Sequence, residues 1–100
     1  MSTLIVIPAR LGATRLPRKP LRLLGGQALI VRVWQRVRAW GFADRVVVAT
    51  DSEEVMRTAS AAGAEALMTR GDHQSGTDRV AEVASRAEFA GYDVVMNVQG

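Results

Sequence analysis

Arg45-Val46-Val47-Val48-Ala49-Thr50-Asp51-Ser52-Glu53-Glu54-Val55-Met56 changes its period halfway along. The first six residues carry an unbroken Val46-Val47-Val48 run, the pattern of a strand buried on both faces. Beyond Asp51 the apolar residues Val55, Met56, Ala59 and Ala62 fall at helical spacing, and Gly63 ends the pattern. Asp51 is predicted as the N-cap, with Glu54 three residues on completing a capping box. Residues 65–68 then form a short third strand. Strand, turn, helix and strand make a βαβ unit, and that unit decides the fold.

The same alternation runs outward in both directions. Residues 3–8, around Leu4-Ile5-Val6-Ile7, read as a buried strand. Residues 9–27 hold Pro17, Pro20 and the pair Gly25-Gly26 and are predicted as an extended loop. Leu29, Ile30, Val33, Trp34, Val37 and Trp40 then repeat at helical spacing, with Arg32, Arg36 and Arg38 turned away and Gly41 as the stop. Both tryptophans lie on that stripe, so they read as core residues rather than as base-stacking platforms. A polar segment, 69–76, leads into a third helix with Val80, Val83, Ala84 and Ala87 facing inward and Ser75 or Thr77 as its cap. Residues 92–98 close the series as a fourth strand. Strands joined by helices of this length require a parallel sheet with right-handed crossovers. The predicted class is α/β: a doubly wound, Rossmann-like, mostly parallel sheet with helices on both faces. Its ligand crevice lies beyond the carboxyl ends of the strands. That places the segment after Pro8, the turn at Thr50-Asp51, residues 69–76 and Gln99-Gly100 together. The chain stops on a strand end, so it is expected to be the front part of a longer protein.

Composition narrows the chemistry. In 100 residues, 48% hydrophobic and 23% charged, there is core-forming material for one domain and no internal linker. The absence of cysteine excludes disulfides and thiolate metal sites, and His73 is the sole histidine. The opening apolar run is too short for a signal peptide or a membrane span, which makes the cytoplasm the expected compartment and leaves no membrane partner. Charge is divided unevenly. The first 43 residues contain no Asp or Glu and carry +8, whereas the remainder carries −5. Such a front half points to an anionic ligand.

Three cations stand along the loop after the first strand: Arg10, Arg15 and Lys19. A polyphosphate needs fixed positive charge of this kind. The loop has neither the G-x-G-x-x-G pattern nor a Gly-Lys-Ser/Thr. Gly71 and Gly76 keep P-loop spacing, but Thr77-Asp78 follows where a lysine belongs. A dinucleotide enzyme is therefore disfavoured. Nucleic acid is not expected as a partner either, because Arg32, Arg36 and Arg38 lie along one helix without base-reading neighbours. The second polar cluster, Asp72-His73-Gln74-Ser75-Gly76-Thr77-Asp78-Arg79, stands at a strand-to-helix junction whose amides suit anions or base carbonyls. His73 has no evident partner and reads as a loop residue rather than an acid or base. Asn97 and Gln99 are uncharged amides at a strand's carboxyl end.

Four blocks taken together resemble the CMP-Kdo synthetases, the 3-deoxy-manno-octulosonate cytidylyltransferases. They are Ile7-Pro8-Ala9-Arg10 with Thr14-Arg15-Leu16-Pro17 and Lys19-Pro20-Leu21; Val48-Ala49-Thr50-Asp51; Met68-Thr69-Arg70 with Asp72 to Arg79; and Asn97-Val98-Gln99-Gly100. They occur in order and cover the whole chain. The resemblance implies cytidylyl transfer from CTP to Kdo, releasing pyrophosphate, for lipopolysaccharide synthesis. It assigns Arg10, Lys19 and Arg15 to the CTP phosphates and places the backbone of Pro8 and Ala9 near the nucleotide. It sets Asp72, His73, Gln74, Ser75 and Gly76 around cytosine and ribose, with Ser75 and Gly76 foremost, and turns Gln99 to the sugar. It also implies a Mg2+ cofactor, held by an Asp expected just after Gly100 and so by no residue of this chain, and a cytoplasmic homodimer. On this reading residues 1–100 are the nucleotide-binding part of a single cytidylyltransferase domain, truncated before that metal-binding Asp and inactive by themselves. A cytidylyltransferase for another acidic sugar, like the CMP-sialic acid synthetases, is the alternative; the Asp72 block resembles the Kdo branch. Two positions depart from the family pattern: Ala13 replaces a usual Ser, and Arg18 a usual Gly.

Overall fold

The computed structural model describes residues 2–10, 19–70 and 76–98. Its main sheet has four strands, all parallel: β1 (Thr3–Ala9), β4 (Arg45–Thr50), β5 (Glu65–Met68) and β6 (Val94–Asn97), in the spatial order β5-β4-β1-β6. A two-stranded antiparallel ribbon, β2 (Leu23–Leu24) and β3 (Gln27–Ala28), precedes helix α1 (Leu29–Ala39). Helix α2 (Glu53–Ala61) joins β4 to β5, and α3 (Gly76–Ala84) joins β5 to β6. The predicted α/β class holds.

The order of the strands follows from the connections. The chain steps from β1 to β4 to β5 in one direction, then returns across the sheet to place β6 on the other side of β1. Right-handed crossovers put α1 and α2 on one face, and the reversal puts α3 on the opposite face. The packing agrees. Ile5, Ile7, Ala9 and Val48 meet Ile30, Val31, Trp34, Val37, Val55 and Ala59 on one side. Leu4, Val6, Val47 and Ala49 meet Val80, Val83 and Phe89 on the other. Because both faces of β1 are covered, Leu4, Ile5, Val6 and Ile7 are all fully buried. Two carboxylates align the starts of the strands: Asp44, just before β4, accepts from Thr3 N at 2.6 Å, and Asp93, just before β6, accepts from Ser2 N at 3.0 Å.

Several local expectations are corrected. The stretch expected to be loop throughout contains the 3₁₀ turn Lys19–Leu21 and the β2–β3 ribbon. Gly25 and Gly26 have φ of 62° and 85°, the two positive values that a tight type I′ hairpin turn demands. Trp34 is buried but Trp40 is 45% exposed and stacks on Phe42, ring centroids 5.9 Å apart. Trp40 comes six residues after Trp34, about 240° round the helix, which takes it off the inward stripe. Ser52, not Asp51, caps α2: its Oγ accepts from Val55 N at 3.3 Å. Ala62 lies past the end of α2 and is exposed. Thr77 lies inside α3 rather than capping it. α3 ends at Ala84, so Ala87 falls in a separate 3₁₀ turn, Ala87–Phe89, and is exposed, while Phe89 enters the core.

Candidate nucleotide site

The sheet opens between β1 and β6, where the winding reverses, and such a switch point is where open α/β sheets bind ligands. The β1–β6 ladder ends at Val6↔Asn97, with Val98 N donating to Val6 O at 3.1 Å. On the other side β1 stays paired with β4 as far as Ala9↔Thr50. Successive residues of a parallel strand direct their polar groups to opposite neighbours. Pro8 therefore faces the same side as Val6, beyond the last pair with β6. Proline is disfavoured inside a sheet because it lacks a donor; here the missing N–H faces the notch and breaks no ladder bond. The Pro8 carbonyl faces the same notch. Ala9 is 4% exposed and lines the end of the strand on the α1–α2 side.

Arg10 leaves β1 at this mouth, half-buried. The backbone of Lys19 opens the 3₁₀ turn, which packs against α1 and α2; Leu21 anchors it to the core on that face. The two cations thus come from segments fixed to the sheet and to its helical layer. Gly76 opens α3. Arg15, Asp72, His73, Gln74, Ser75 and Gln99 lie outside the described residues, as do Ala13 and Arg18.

Sequence reading placed Arg79 in the second polar cluster but gave it no role. Its side chain is wholly buried beneath the carboxyl ends of β4 and β5. Nη1 donates to the Thr69 hydroxyl and, at 3.1 Å, to the Arg70 carbonyl. Nη2 lies 3.7 Å from Asp51 Oδ2. This pairing explains the shifted cap of α2, since Asp51 turns toward the guanidinium and Ser52 takes over the helix terminus. Two more groups from the same helical segment hold the exit of β5. Glu82 accepts from Arg70 N at 3.0 Å, and Arg86 donates to the Met68 carbonyl at 2.6 Å and to Glu82 at 2.8 Å. The signal was present in the sequence: Arg79 is four residues before Val83 and adjoins Val80, within the inward stripe of α3.

At the opposite end of the sheet, Arg45 makes a two-pronged bond to Glu65 and lies 4.5 Å over the ring of Phe89. Hydrogen bonding to Arg45 holds the Glu65 carboxyl below its ordinary range. This pair is structural, remote from the crevice. Among the described residues no three carboxylate or imidazole side chains stand together as a metal site. No described helix is long and apolar enough to cross a membrane.

Comparison with known proteins places the chain among the cytidylyltransferases. The chain is 63% identical over all 100 residues to a 3-deoxy-manno-octulosonate cytidylyltransferase of Gemmatimonas aurantiaca, covering 39% of that protein. It also matches a solved structure of CMP:2-keto-3-deoxy-manno-octonic acid synthetase complexed with CTP, at TM-score 0.91 and 42% identity. That match covers 99% of this chain and 40% of the other. The chain thus spans about two fifths of the length of these relatives. The family model for cytidylyltransferases matches residues 4–100, from the first buried strand through the last, and on that match the chain belongs to the cytidylyltransferase family.

Proposed function

We propose that the full-length gene product transfers a cytidylyl group from CTP to the anomeric hydroxyl of Kdo. The hydroxyl oxygen attacks the α-phosphorus in line, the bond to pyrophosphate breaks, and the hydroxyl proton is lost. No covalent enzyme intermediate is involved in this reading. The observation that carries the reading is the 0.91 TM-score likeness to a synthetase complexed with CTP. Both relatives are named for Kdo, which favours it over other acidic sugars.

In this reading Arg10, Arg15 and Lys19 offset the charge of the triphosphate and of the departing pyrophosphate. The Pro8 carbonyl and the Ala9 backbone border the nucleotide. Asp72, His73, Gln74, Ser75 and Gly76 face cytosine and ribose, and Gln99 faces the sugar. A Mg2+ cofactor, a homodimer and a cytoplasmic setting belong to the proposal through the family resemblance. The test is pyrophosphate release by the full-length gene product with CTP, Kdo and magnesium, beside reactions with ATP, with a sialic acid in place of Kdo, and without acceptor. Turnover confined to CTP and Kdo supports the reading. Equal turnover with ATP or with the sialic acid refutes it.

A further inference from the structure

Helix α1 carries charge that the nucleotide reading leaves unused. Of the eight cations in the first 43 residues, that reading takes Arg10, Arg15 and Lys19. Arg22, Arg32, Arg36 and Arg38 are all exposed and have no part in it. The apolar side of α1 is committed to the sheet through Ile30, Val31, Trp34 and Val37. Arg32 and Arg36 therefore project from the outward side. Trp40 follows them at the same four-residue spacing, because helical backbone continues through it. At that end the Trp40 and Phe42 rings stack on each other, 45% and 53% exposed. Two large rings left together in water beside a basic stripe mark a surface that meets a partner.

Three features define the chemistry of that partner. The stripe is basic throughout: α1 holds no carboxylate, and the first acid after it, Asp44, is turned to Thr3 N at 2.6 Å. The outer surface of a helix is convex, which suits an extended anionic surface better than a small ligand, whose sites are concave. The two rings lie on each other with only 6° between their planes, which disfavours single-stranded nucleic acid, whose bases need open ring faces to stack on. A bilayer with anionic headgroups meets all three conditions. Arginines are drawn to its negative potential, and tryptophan and phenylalanine settle at its interface. The absence of a membrane-crossing helix among the described residues bears on spanning a bilayer, and lying on one requires no span.

We propose that the outer face of α1, with Arg32, Arg36, Trp40 and Phe42, docks the full-length gene product on anionic phospholipid bilayers. The acids of the neighbouring helix, Glu53 and Glu54, follow the carboxyl end of β4, whereas Trp40 and Phe42 precede its start. The aromatic end of the face is thus remote both from those acids and from the crevice. The inference stands independently of which nucleotide the crevice takes.

The experiment floats the full-length gene product with vesicles of phosphatidylcholine alone and of an equimolar mixture with phosphatidylglycerol. Binding is expected to the mixed vesicles only, and to be lost at high salt as the charges are screened. Arg32→Gln and Arg36→Gln are each expected to weaken it about fivefold, and together about 25-fold. Binding also shifts tryptophan emission to the blue, by less in Trp40→Phe than in the wild type. Near-UV circular dichroism checks folding; if the double variant does not fold, the salt dependence of the wild type and the Trp40→Phe shift decide. Equal binding to neutral vesicles, no binding to either, wild-type affinity in the double variant, or an undiminished shift in Trp40→Phe overturns the proposal. Preference for a single-stranded oligonucleotide over the mixed vesicles at matched charge concentration also overturns it, and assigns the face to nucleic acid.

Discussion

Phe89→Ala is expected to be among the most damaging single substitutions at the α3 face of the sheet. Phe89 is 1% exposed and packs with Leu4, Val6, Val47, Val80 and Val83, so truncation leaves a cavity bounded by β-branched residues with little freedom to collapse. Large-to-small changes of this kind cost about 3–5 kcal/mol. The Arg45 guanidinium, 4.5 Å from the ring centroid, also loses its aromatic partner, worth about 0.5–1 kcal/mol at a site this exposed. Set against a domain stability of roughly 5–15 kcal/mol, the change removes a large part of the total. Urea unfolding of the full-length gene product followed by circular dichroism measures it, read as a shift in midpoint at constant slope. Phe89→Leu keeps most of the volume and is expected to cost about 1.5 kcal/mol or less in packing, plus the cation–π contact. A double-mutant cycle with Arg45→Met isolates that contact from the Arg45–Glu65 bond. A loss below about 1 kcal/mol for Phe89→Ala contradicts the close packing around its ring; a coupling of zero contradicts the cation–π contact alone.

Other consequences can be checked separately. Lys19→Ala is expected to lower turnover about 10²-fold or more in a pyrophosphate-release assay, and wild-type turnover would remove Lys19 from the site. CTP should raise the thermal midpoint more than ATP at equal concentration, since a site built of polar groups rejects a wrongly patterned base; equal shifts speak against a base contact at residues 72–76. Ser52→Ala is expected to destabilise by about 1 kcal/mol, as measured by denaturation. Glu65 is held below the ordinary carboxylate range by Arg45. Its contribution is therefore present above the unfolded value and lost as pH falls through the folded one. Its side chain is 38% exposed, so Glu65→Gln should flatten acid stability by less than about 1 kcal/mol, visible in denaturation curves between neutral and acid pH.

The fold was legible where period and burial coincide. Val46-Val47-Val48 and Leu4-Ile5-Val6-Ile7 are strands because only a sheet covered on both faces accommodates such runs, and each is where the periodicity places it. The failures are at ends. Trp40 fits the stripe of α1 when counted from Val37, but not when counted from Trp34. Helix α1 also stops at Ala39, so the ring pairs with Phe42 instead. Ala87 continues the period of α3, yet the helix ends at Ala84 and a 3₁₀ turn resets the phase, delivering Phe89 to the core. Local periodicity carries no information about where tertiary packing will interrupt it.

The site divides along a similar line. Its expected place at the mouth of the sheet follows from topology, and Arg10 and Lys19 are singled out because an acid-free front half points to an anionic ligand. Asp51 misled because a local rule, the capping box, competes with a contact 28 positions away in sequence, the pairing with Arg79. Once the guanidinium is buried, the nearest carboxylate is worth more beside it than at an exposed helix end, where a cap adds only about 1 kcal/mol and Ser52 serves equally well. The same competition explains Pro8. A proline in a central strand reads as an error until the neighbouring ladder is seen to stop at Val6, after which it marks the point where the sheet ceases to be continuous and a ligand can enter. Two residues that break a local rule, Pro8 in a strand and Arg79 in a core, stand at the crevice, and the opening between strands accounts for one as the fixing of the loop exits accounts for the other.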